Sequence, residues 1–143
     1  MSSSISPSQT ASMQDRRPVS TSDAPAAIGP YSQALVHGGL VYCSGQIALD
    51  PTTQALVSGG IEAETRRVLQ NLAGVLAAAG SGLERVLKTT VYLQRIDDFP
   101  KMNAVYGTFF TQDPPARATI EAGKLPRGAT VEIDCIAALR SAS

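Results

Sequence analysis

The alternation of hydrophobic and polar residues predicts short strands in the first part of the chain and one long helix after them. Strands are predicted at residues 33–36 and 40–44, with Gly38-Gly39 as a two-residue hairpin turn between them. Residues 61–79 repeat apolar side chains every three or four positions, which predicts a helix that ends at Gly80. The predicted buried stripe is Ile61, Thr65, Val68, Leu69, Leu72, Val75, Leu76 and Ala79.

The second part of the chain is predicted to form a strand, a helix and two further strands. A strand is predicted at 85–94, a helix capped by Asp98 with Pro100 in its first turn, and further strands at 116–121 and 129–139. In the first of these strands, one face would hold Leu87, Thr89, Val91 and Leu93, and the other Lys88, Thr90 and Tyr92. The order β-β-α-β-α-β-β predicts an α+β fold with two helices on one face of a sheet of about five strands.

Two helices cover only one face of such a sheet, so the second face needs another covering. By alternation this second face holds Leu35, Tyr42 and Tyr92 together with small polar residues. Packing against further copies of the same chain would bury it, so we expect a closed homo-oligomer. The alternative is a monomer whose sheet is amphipathic.

Charged residues are expected on that second face. In the last strand Val131, Ile133, Cys135 and Ala137 are all apolar and are expected to face the helices, which turns Glu132 and Asp134 the other way. In the preceding strand we expect Ala118 and Ile120 to face the helices and Arg117, Thr119 and Glu121 to face away. A charge on a covered face is unfavourable unless it is paired or binds a ligand.

Two of these charges are candidates for chemistry. The guanidinium of Arg117 fits a substrate carboxylate, and the alternative is a structural ion pair with Glu121, Glu132 or Asp134. Glu132 is a candidate base that activates water, or the partner of a basic residue in an interface.

Two loop segments add weaker candidates. Tyr31, in the rigid sequence Gly-Pro-Tyr, either walls a pocket or simply packs. The segment 44–46 (SGQ) either presents backbone N–H donors to an oxyanion or forms a β-bulge.

Composition excludes several classes of function. The chain of 143 residues has 12 basic and 12 acidic residues, a balance that gives no general attraction to nucleic acid or membrane surfaces. His37 is the single histidine, so His pairs and the usual Cys/His zinc sites are excluded. Cys43 and Cys135 are far apart and predicted to be reduced and buried as small hydrophobic residues.

The first 22 residues differ in composition from the rest. They contain eight serines and a single acidic residue, and they lack the apolar stretch of a secretory signal. We expect a flexible tail over 1–22, or alternatively a targeting segment, and one domain over 23–143. The expected location is cytoplasmic, or mitochondrial if the tail is a transit segment.

Several motifs in order resemble the RidA (YjgF-like) family of reactive imine and enamine deaminases. The resemblance extends over residues 23–140 and leaves out the serine-rich segment. Its motifs are 24–33 (APAAIGPYSQ), 44–47 (SGQI), 88–91 (KTTV), 103–106 (NAVY) with Phe109-Phe110, 115–119 (PARAT), Leu125-Pro126 and 131–133 (VEI).

The resemblance implies a chorismate-mutase-like α+β fold and a homotrimer with clefts between subunits. It implies hydrolysis of 2-imino acids such as 2-iminobutanoate and 2-iminopropanoate to 2-oxo acids and ammonia. This reaction would protect enzymes that use pyridoxal phosphate (PLP) from damage. It implies no metal or organic cofactor. From the charge balance we expect no nucleic-acid partner and no membrane partner.

The resemblance also assigns roles to single residues. Arg117 corresponds to the arginine that binds the substrate carboxylate, and Glu132 to the acid that holds and activates water. The residues that line the cleft correspond to Tyr31, Ser44, Gly45, Phe99, Asn103 and Thr119. Thr119 replaces a cysteine of many relatives, so a thiol-dependent role at this position is excluded, whereas hydrolysis is not.

Two other functions compete with the deaminase. One is a non-catalytic module, holdase-like or sensing, that binds small carboxylates in the same cleft. The other is a ribonuclease or translation inhibitor, which the neutral charge and the single His37 disfavour.

Overall fold

The computed structural model describes residues 15–140, in which six strands form one sheet and two long helices pack on it. The strands are β1 (Arg17–Val19), β2 (Ala34–His37), β3 (Leu40–Gln46), β4 (Val86–Leu93), β5 (Ala116–Glu121) and β6 (Val131–Ala138). The helices are α1 (Gly60–Ala79) between β3 and β4, and α2 (Phe99–Phe109) between β4 and β5. The order of elements confirms the α+β prediction, with one strand more than expected.

The sheet runs in the order β1-β2-β3-β6-β4-β5. Only β4 and β5 are parallel neighbours, and α2 forms the crossover that a parallel pair requires. The other neighbouring strands are antiparallel. This order places β6 near the centre of the sheet and β5 at an edge.

The hairpin between β2 and β3 forms as predicted. Gly38 and Gly39 have φ angles of 61° and 81°, and His37 pairs with Leu40 across the turn. Positive φ at both turn positions is the requirement that glycine meets without strain.

Helix α1 supplies most of the helical side of the core. Every residue of the predicted stripe from Ile61 to Ala79 is buried. The helix ends at Gly80 in the left-handed conformation, and the N–H of Ser81 donates to the carbonyl of Leu76.

Helix α2 begins after Asp98, with Pro100 in its first turn, but one detail differs from the prediction. The side chain of Asp98 makes no capping hydrogen bond, because Asp98 has helical dihedral angles and ends a short 3₁₀ turn. Helix α2 buries Met102, Val105 and Tyr106 and packs against α1.

The core lies between the helices and one face of the sheet. Val131, Ile133, Cys135 and Ala137 are all buried, which confirms the predicted alternation of β6. Cys43 pairs with Cys135 across β3 and β6, and both are buried free cysteines, as expected.

The predicted orientation of β5 is wrong. Arg117 pairs with Thr89 and Thr119 pairs with Val91, and both β4 residues are buried beneath the helices. Paired residues point to the same face of a sheet, so Arg117 and Thr119 face the helices. Ala118 and Ile120 face away, and 47% of Ile120 is exposed.

Two further corrections concern β4 and the N-terminal segment. The register of β4 against β6 shifts between Val86 and Lys88, which takes Leu87 out of the buried face and leaves it 51% exposed. Arg17–Val19, assigned to the tail, form β1 and pair with β2. Residues 1–14 of the predicted tail lie outside the described residues.

The second face of the sheet is open in the described part of the chain. Leu35 pairs with Tyr42 and Tyr42 with Ile136, while Tyr92 pairs with Glu132, so these residues share that face as predicted. Tyr42 is 43% exposed. Within residues 15–140, neither helix is long and apolar enough to cross a membrane.

Candidate functional site

A cavity of about 600 Å³ lies where the end of β3, the start of β6 and the loop before β2 meet. Four of the residues assigned to the site by resemblance line it, namely Tyr31, Ser44, Gly45 and Glu132. The other described lining residues are Pro25, Ala26, Ile28, Gln33, Gln46, Ile47, Leu49, Pro126 and Arg127. The cavity is therefore largely apolar, with one carboxylate and one guanidinium among its walls.

Glu132 supplies the carboxylate of this cavity. Its neighbours Val131 and Ile133 are fully buried in the core, and this alternation turns Glu132 to the open face, where it is half-buried. Burial raises the pKa of Glu132 above its usual value, and the negative charge of Asp134 raises it further. A carboxylate with a raised pKa is a better proton acceptor, which suits a general base.

Gly45 lets this carboxylate lie directly against the backbone of β3. A Cβ atom at position 45 would collide with the carboxylate group of Glu132, so only glycine leaves the space that Glu132 occupies. The register of β3 against β6 shifts between Cys43 and Gln46, which confirms the β-bulge interpretation of the SGQ segment.

Ser44 joins β3 to the loop that carries Tyr31. The Ser44 hydroxyl donates to the carbonyl of Ser32 at 2.6 Å, and the Ser44 N–H donates to the carbonyl of Gln33 at 3.0 Å. Tyr31 is 53% exposed, and its hydroxyl accepts a hydrogen bond from the N–H of Ile28 at 3.4 Å. Tyr31 is thus a wall of the cavity with its ring open to solvent.

Gln33 organises this loop, a role that sequence reasoning missed. Its side chain is buried, and Nε2 donates to the carbonyls of Pro25 at 2.7 Å and Thr21 at 3.0 Å. Its Oε1 accepts from the N–H of Thr21 at 2.7 Å. The sequence signal for this role is a glutamine at the start of an apolar strand pattern. An amide buried there needs several hydrogen-bond partners, which indicates that it holds neighbouring backbone groups.

The remaining candidate residues form a second cluster, between β5 and α2. The Nη1 of Arg117 donates to Oδ1 of Asn103 at 2.8 Å. The guanidinium carbon of Arg117 lies 4.7 Å from the ring centre of Tyr106 and 5.3 Å from that of Phe99. Two aromatic rings and an amide thus hold the guanidinium in place.

Tyr106 was not among the predicted site residues. Its hydroxyl shares a 2.7 Å hydrogen bond with the Thr89 hydroxyl, and burial raises its pKa above the usual value for tyrosine. Tyr106 is also a buried residue of α2.

No acid neutralises Arg117 within the described chain. Between residues 15 and 140 the ion pairs are Arg95 with Asp97 and Arg140 with Glu84. An ion pair of Arg117 with Glu121, Glu132 or Asp134 is therefore absent within residues 15–140 of a single chain. Thr119, on the same face as Arg117, has a buried hydroxyl without a hydrogen-bond partner among these residues.

The two clusters lie on opposite faces of the sheet. Arg117 pairs with Thr89, which pairs with Cys135, so these three side chains point to the helical face. Glu132 pairs with Tyr92 on the open face. The structure therefore divides the predicted site between two places within one chain.

Metal-binding groups do not add to either cluster. Within the described residues, there is no group of three or more His, Cys, Asp or Glu side chains suited to hold a metal ion. His37 is exposed at the hairpin and is not among the residues that line the cavity.

Comparison with known proteins gives consistent matches over this whole domain. The family model described as endoribonuclease L-PSP matches residues 21–139. The mouse 2-iminobutanoate/2-iminopropanoate deaminase is 48% identical over 122 residues, which are 85% of this chain and 90% of the mouse protein.

Solved structures agree in fold. A putative endoribonuclease from Thermotoga maritima is 46% identical, with a TM-score of 0.84, over 87% of this chain and 98% of its own. TdcF of E. coli, solved with bound serine, is 34% identical, with a TM-score of 0.82, over 87% of this chain and 99% of its own.

Proposed function

Since the chain belongs to the endoribonuclease L-PSP family, which includes the RidA and YjgF proteins, we propose that it hydrolyses reactive 2-imino acids. The proposed substrates are 2-iminobutanoate and 2-iminopropanoate, and the products are 2-oxo acids and ammonia. The observation that carries the proposal is the half-buried carboxylate of Glu132, which lies against Gly45 in the wall of a largely apolar cavity.

The proposed reaction needs one water molecule and no covalent intermediate. Water adds to the carbon of the C=N bond while Glu132 accepts one of its protons. That proton passes to the nitrogen and gives a carbinolamine. The hydroxyl proton of the carbinolamine then passes to the nitrogen as well, the C–N bond breaks, and ammonia leaves as the C=O bond forms. Holding substrate and water in contact supplies the acceleration, because positioning alone lowers the barrier of such an addition.

Arg117 is the proposed anchor of the substrate carboxylate. A guanidinium can donate two parallel hydrogen bonds to a carboxylate, and Asn103, Phe99 and Tyr106 hold this one in a fixed orientation. The hydroxyl of Thr119 lies two residues further along the same face, is buried and has no hydrogen-bond partner among the described residues, so we include it among the proposed substrate-binding groups.

We propose a homotrimer in which the site is completed between subunits. Glu132 and Arg117 lie on opposite faces of one sheet, so a second copy has to bring its Arg117 to the cavity of the first. The open face supports such packing, because it exposes Tyr42 on β3 and Ile120 on the edge strand β5. A cyclic arrangement uses the same surfaces in every copy and leaves none uncovered.

The biological role proposed with this activity is protection of PLP-dependent enzymes from reactive imines, in the cytoplasm. Its proposed partners are the small imino acid and further copies of the chain, without nucleic acid, membrane or cofactor. Mitochondrial location is the alternative if residues 1–22 act as a transit segment.

A coupled assay tests the activity. A threonine dehydratase generates 2-iminobutanoate, and the release of 2-oxobutanoate is followed with and without the protein. We expect a clear acceleration that Arg117→Ala reduces on the order of 100-fold in kcat/KM, since a charge-assisted anchor is lost. Arg95→Ala, in an exposed ion pair with Asp97, is the matched control and is expected to retain activity. Full activity of Arg117→Ala would contradict the mechanism.

The binding module remains a second candidate because the cavity alone would suit a ligand. It predicts that 2-oxobutanoate binds in calorimetry while imine hydrolysis is not accelerated. The combination of Arg117 and Glu132 favours turnover, since binding a carboxylate requires only the arginine.

The family description names an endoribonuclease, which makes RNA cleavage a third candidate. The equal numbers of acidic and basic residues provide no strong attraction for a phosphate backbone, and His37 is the single histidine. Salt-dependent RNA binding by a nuclease-free preparation would favour this candidate over the deaminase.

A further inference from the structure

Arg127 is a second cation at the candidate site, apart from Arg117. It lies in the loop between β5 and β6 and lines the same cavity as Glu132. Of the described residues that line this cavity, Arg127 and Glu132 are the two that carry charge. Arg117, by contrast, reaches the cavity only when a neighbouring copy supplies it.

The backbone holds Arg127 in an unfavourable conformation. Its φ angle is 62°, in the left-handed region that side-chain-bearing residues rarely adopt. Gln54, whose φ angle is 61°, accepts a hydrogen bond at its carbonyl from Nη2 of Arg127 at 3.3 Å. Two strained residues from separate loops are thus joined at the edge of the cavity, and such strain is common where a chain holds a ligand.

Both loops are fixed by contacts outside the cavity. The Asp50 carboxylate accepts from the N–H groups of Thr52 at 2.8 Å and Thr53 at 3.1 Å, which shapes the turn that leads to Gln54. The buried Glu64 accepts from the N–H of Thr130 at 2.9 Å and fixes the loop of Arg127 where β6 begins. The position of Arg127 is therefore built into the fold.

The guanidinium of Arg127 keeps most of its binding capacity. It has five N–H donors, and the one hydrogen bond found among the described residues goes to the Gln54 carbonyl. An exposed guanidinium with free donors beside an apolar cavity can bind an anionic group at the far end of a ligand.

In a single chain the cavity has a volume of about 600 Å³, within the range of roughly 300–1,000 Å³ that is typical of ligand sites. The neighbouring copy that brings Arg117 would take up part of this space. A negative charge on the substrate side chain would meet Arg127, and Arg127 offsets the repulsion from Glu132.

We propose that Arg127 is a specificity-determining residue that selects 2-imino acids with a second carboxylate in the side chain. The inference rests on the proposed deaminase activity and extends it from small neutral side chains to imino dicarboxylic acids. Arg117 of the neighbouring copy would hold the carboxylate next to the imine, and Arg127 the distal one.

The test compares two substrates on the full-length protein. An amino-acid oxidase generates 2-iminoglutarate from glutamate and 2-iminobutanoate from 2-aminobutanoate, and semicarbazide competes with the protein for each imine. The measured quantity is the ratio of kcat/KM for 2-iminoglutarate to that for 2-iminobutanoate. We expect Arg127→Gln to lower this ratio about 10-fold or more, and Arg127→Lys to restore part of it.

The control variant removes an arginine outside the cavity. Arg95→Gln is expected to leave the ratio at the wild-type value, because Arg95 is exposed and pairs with Asp97. The glutamine and lysine variants both keep a side chain at the strained position, so backbone effects are matched between them.

Three results would overturn the inference. A ratio unchanged in Arg127→Gln, even with both rates lowered, would mean that Arg127 does not distinguish side chains. Hydrolysis of 2-iminobutanoate by the wild type without any hydrolysis of 2-iminoglutarate would refute the inference and leave the proposed function intact. Failure to hydrolyse either imine would refute the proposed function itself, and the inference with it.

Discussion

Arg117 and Glu132 point to opposite faces of the same sheet. Arg117 pairs with Thr89 on β4, and Thr89 pairs with Cys135 on β6. Cys135 is an odd number of residues from Glu132, so Glu132 points to the face opposite Cys135 and Arg117. Their backbones are separated by about 10 Å across two inter-strand spacings and by about 10 Å along the strands. A single chain therefore does not bring together the two residues proposed to anchor the substrate and to activate water.

Co-expression of two inactive variants tests this arrangement. Arg117→Ala and Glu132→Gln are each expected to be inactive as pure proteins. In a cyclic trimer that contains both kinds of chain, about one of the three sites combines an intact Arg117 with an intact Glu132. Purification through two different tags selects such mixed trimers, and imine hydrolysis should then be about a third of the wild-type rate per site.

The control is a mixture of the two pure proteins that have not been allowed to exchange subunits, which should stay inactive. A co-expressed assembly that is equally inactive would mean that each chain forms its site alone. Sedimentation of the same sample reports whether the assembly is a trimer.

Gly45→Ala is expected to damage activity more than stability. Its Cβ would overlap the Glu132 carboxylate, and the flexible end of that side chain can move away at little cost in folding free energy. A displacement of about 1 Å at a catalytic group can lower kcat about 100-fold. Imine hydrolysis and urea denaturation are measured on the same preparation.

Gly107→Ala is the matched control for this substitution. Gly107 lies in α2, and a Cβ atom there would have nothing within 4 Å. Alanine favours a helix over glycine by roughly 0.5–1 kcal/mol, so slightly higher stability and unchanged activity are expected. Full activity of Gly45→Ala would argue against a catalytic position for Glu132.

The acidic limb of the pH–rate profile should depend on Asp134. The pKa of Glu132 is raised, by burial first and then by the negative charge of Asp134. A base works only when deprotonated, so kcat/KM should fall as the pH falls through the pKa of Glu132. Asp134→Asn removes one of the two causes of the raised pKa, so the acidic limb should move to lower pH.

Protonation of the imine also affects the rate, so the informative quantity is the difference between variants in the same assay. Asp97→Asn removes an exposed carboxylate that pairs with Arg95, and it should leave the acidic limb of the profile unchanged. A limb that moves to higher pH in Asp134→Asn, or not at all, would mean that Glu132 is not the titrating base.

Local patterns were sufficient to predict α1, the hairpin and the alternation of β6. In α1 and β6, whether a residue is buried follows from its place in the repeating apolar pattern, as in the buried stripe of α1 and in Val131 and Ile133. The hairpin turn requires a positive φ angle at two successive residues, which Gly38-Gly39 adopts and few other residue pairs can.

Features that depend on register were not predictable from the chain alone. Ala118 and Ile120 are the apolar residues of β5, yet pairing with β4 turns Arg117 to the helical face. The β-bulge at Leu87 and the strained backbone of Arg127 likewise result from tertiary contacts rather than from residue type. The division of the site between two faces follows from the same orientation of β5.

Gln33→Leu tests whether one buried amide holds the loop that carries Tyr31. The substitution keeps a side chain of similar size but removes the hydrogen bonds to Thr21 and Pro25, which leaves their backbone groups without partners. Each unsatisfied buried group costs about 1–3 kcal/mol, so we expect a loss of roughly 2–4 kcal/mol in the free energy of unfolding. Gln112→Leu, at an exposed position, should change it by less than about 0.5 kcal/mol. A loss in Gln33→Leu no larger than in this control would mean that Ser44, through its bonds to Ser32 and the Gln33 backbone, holds the loop without the amide.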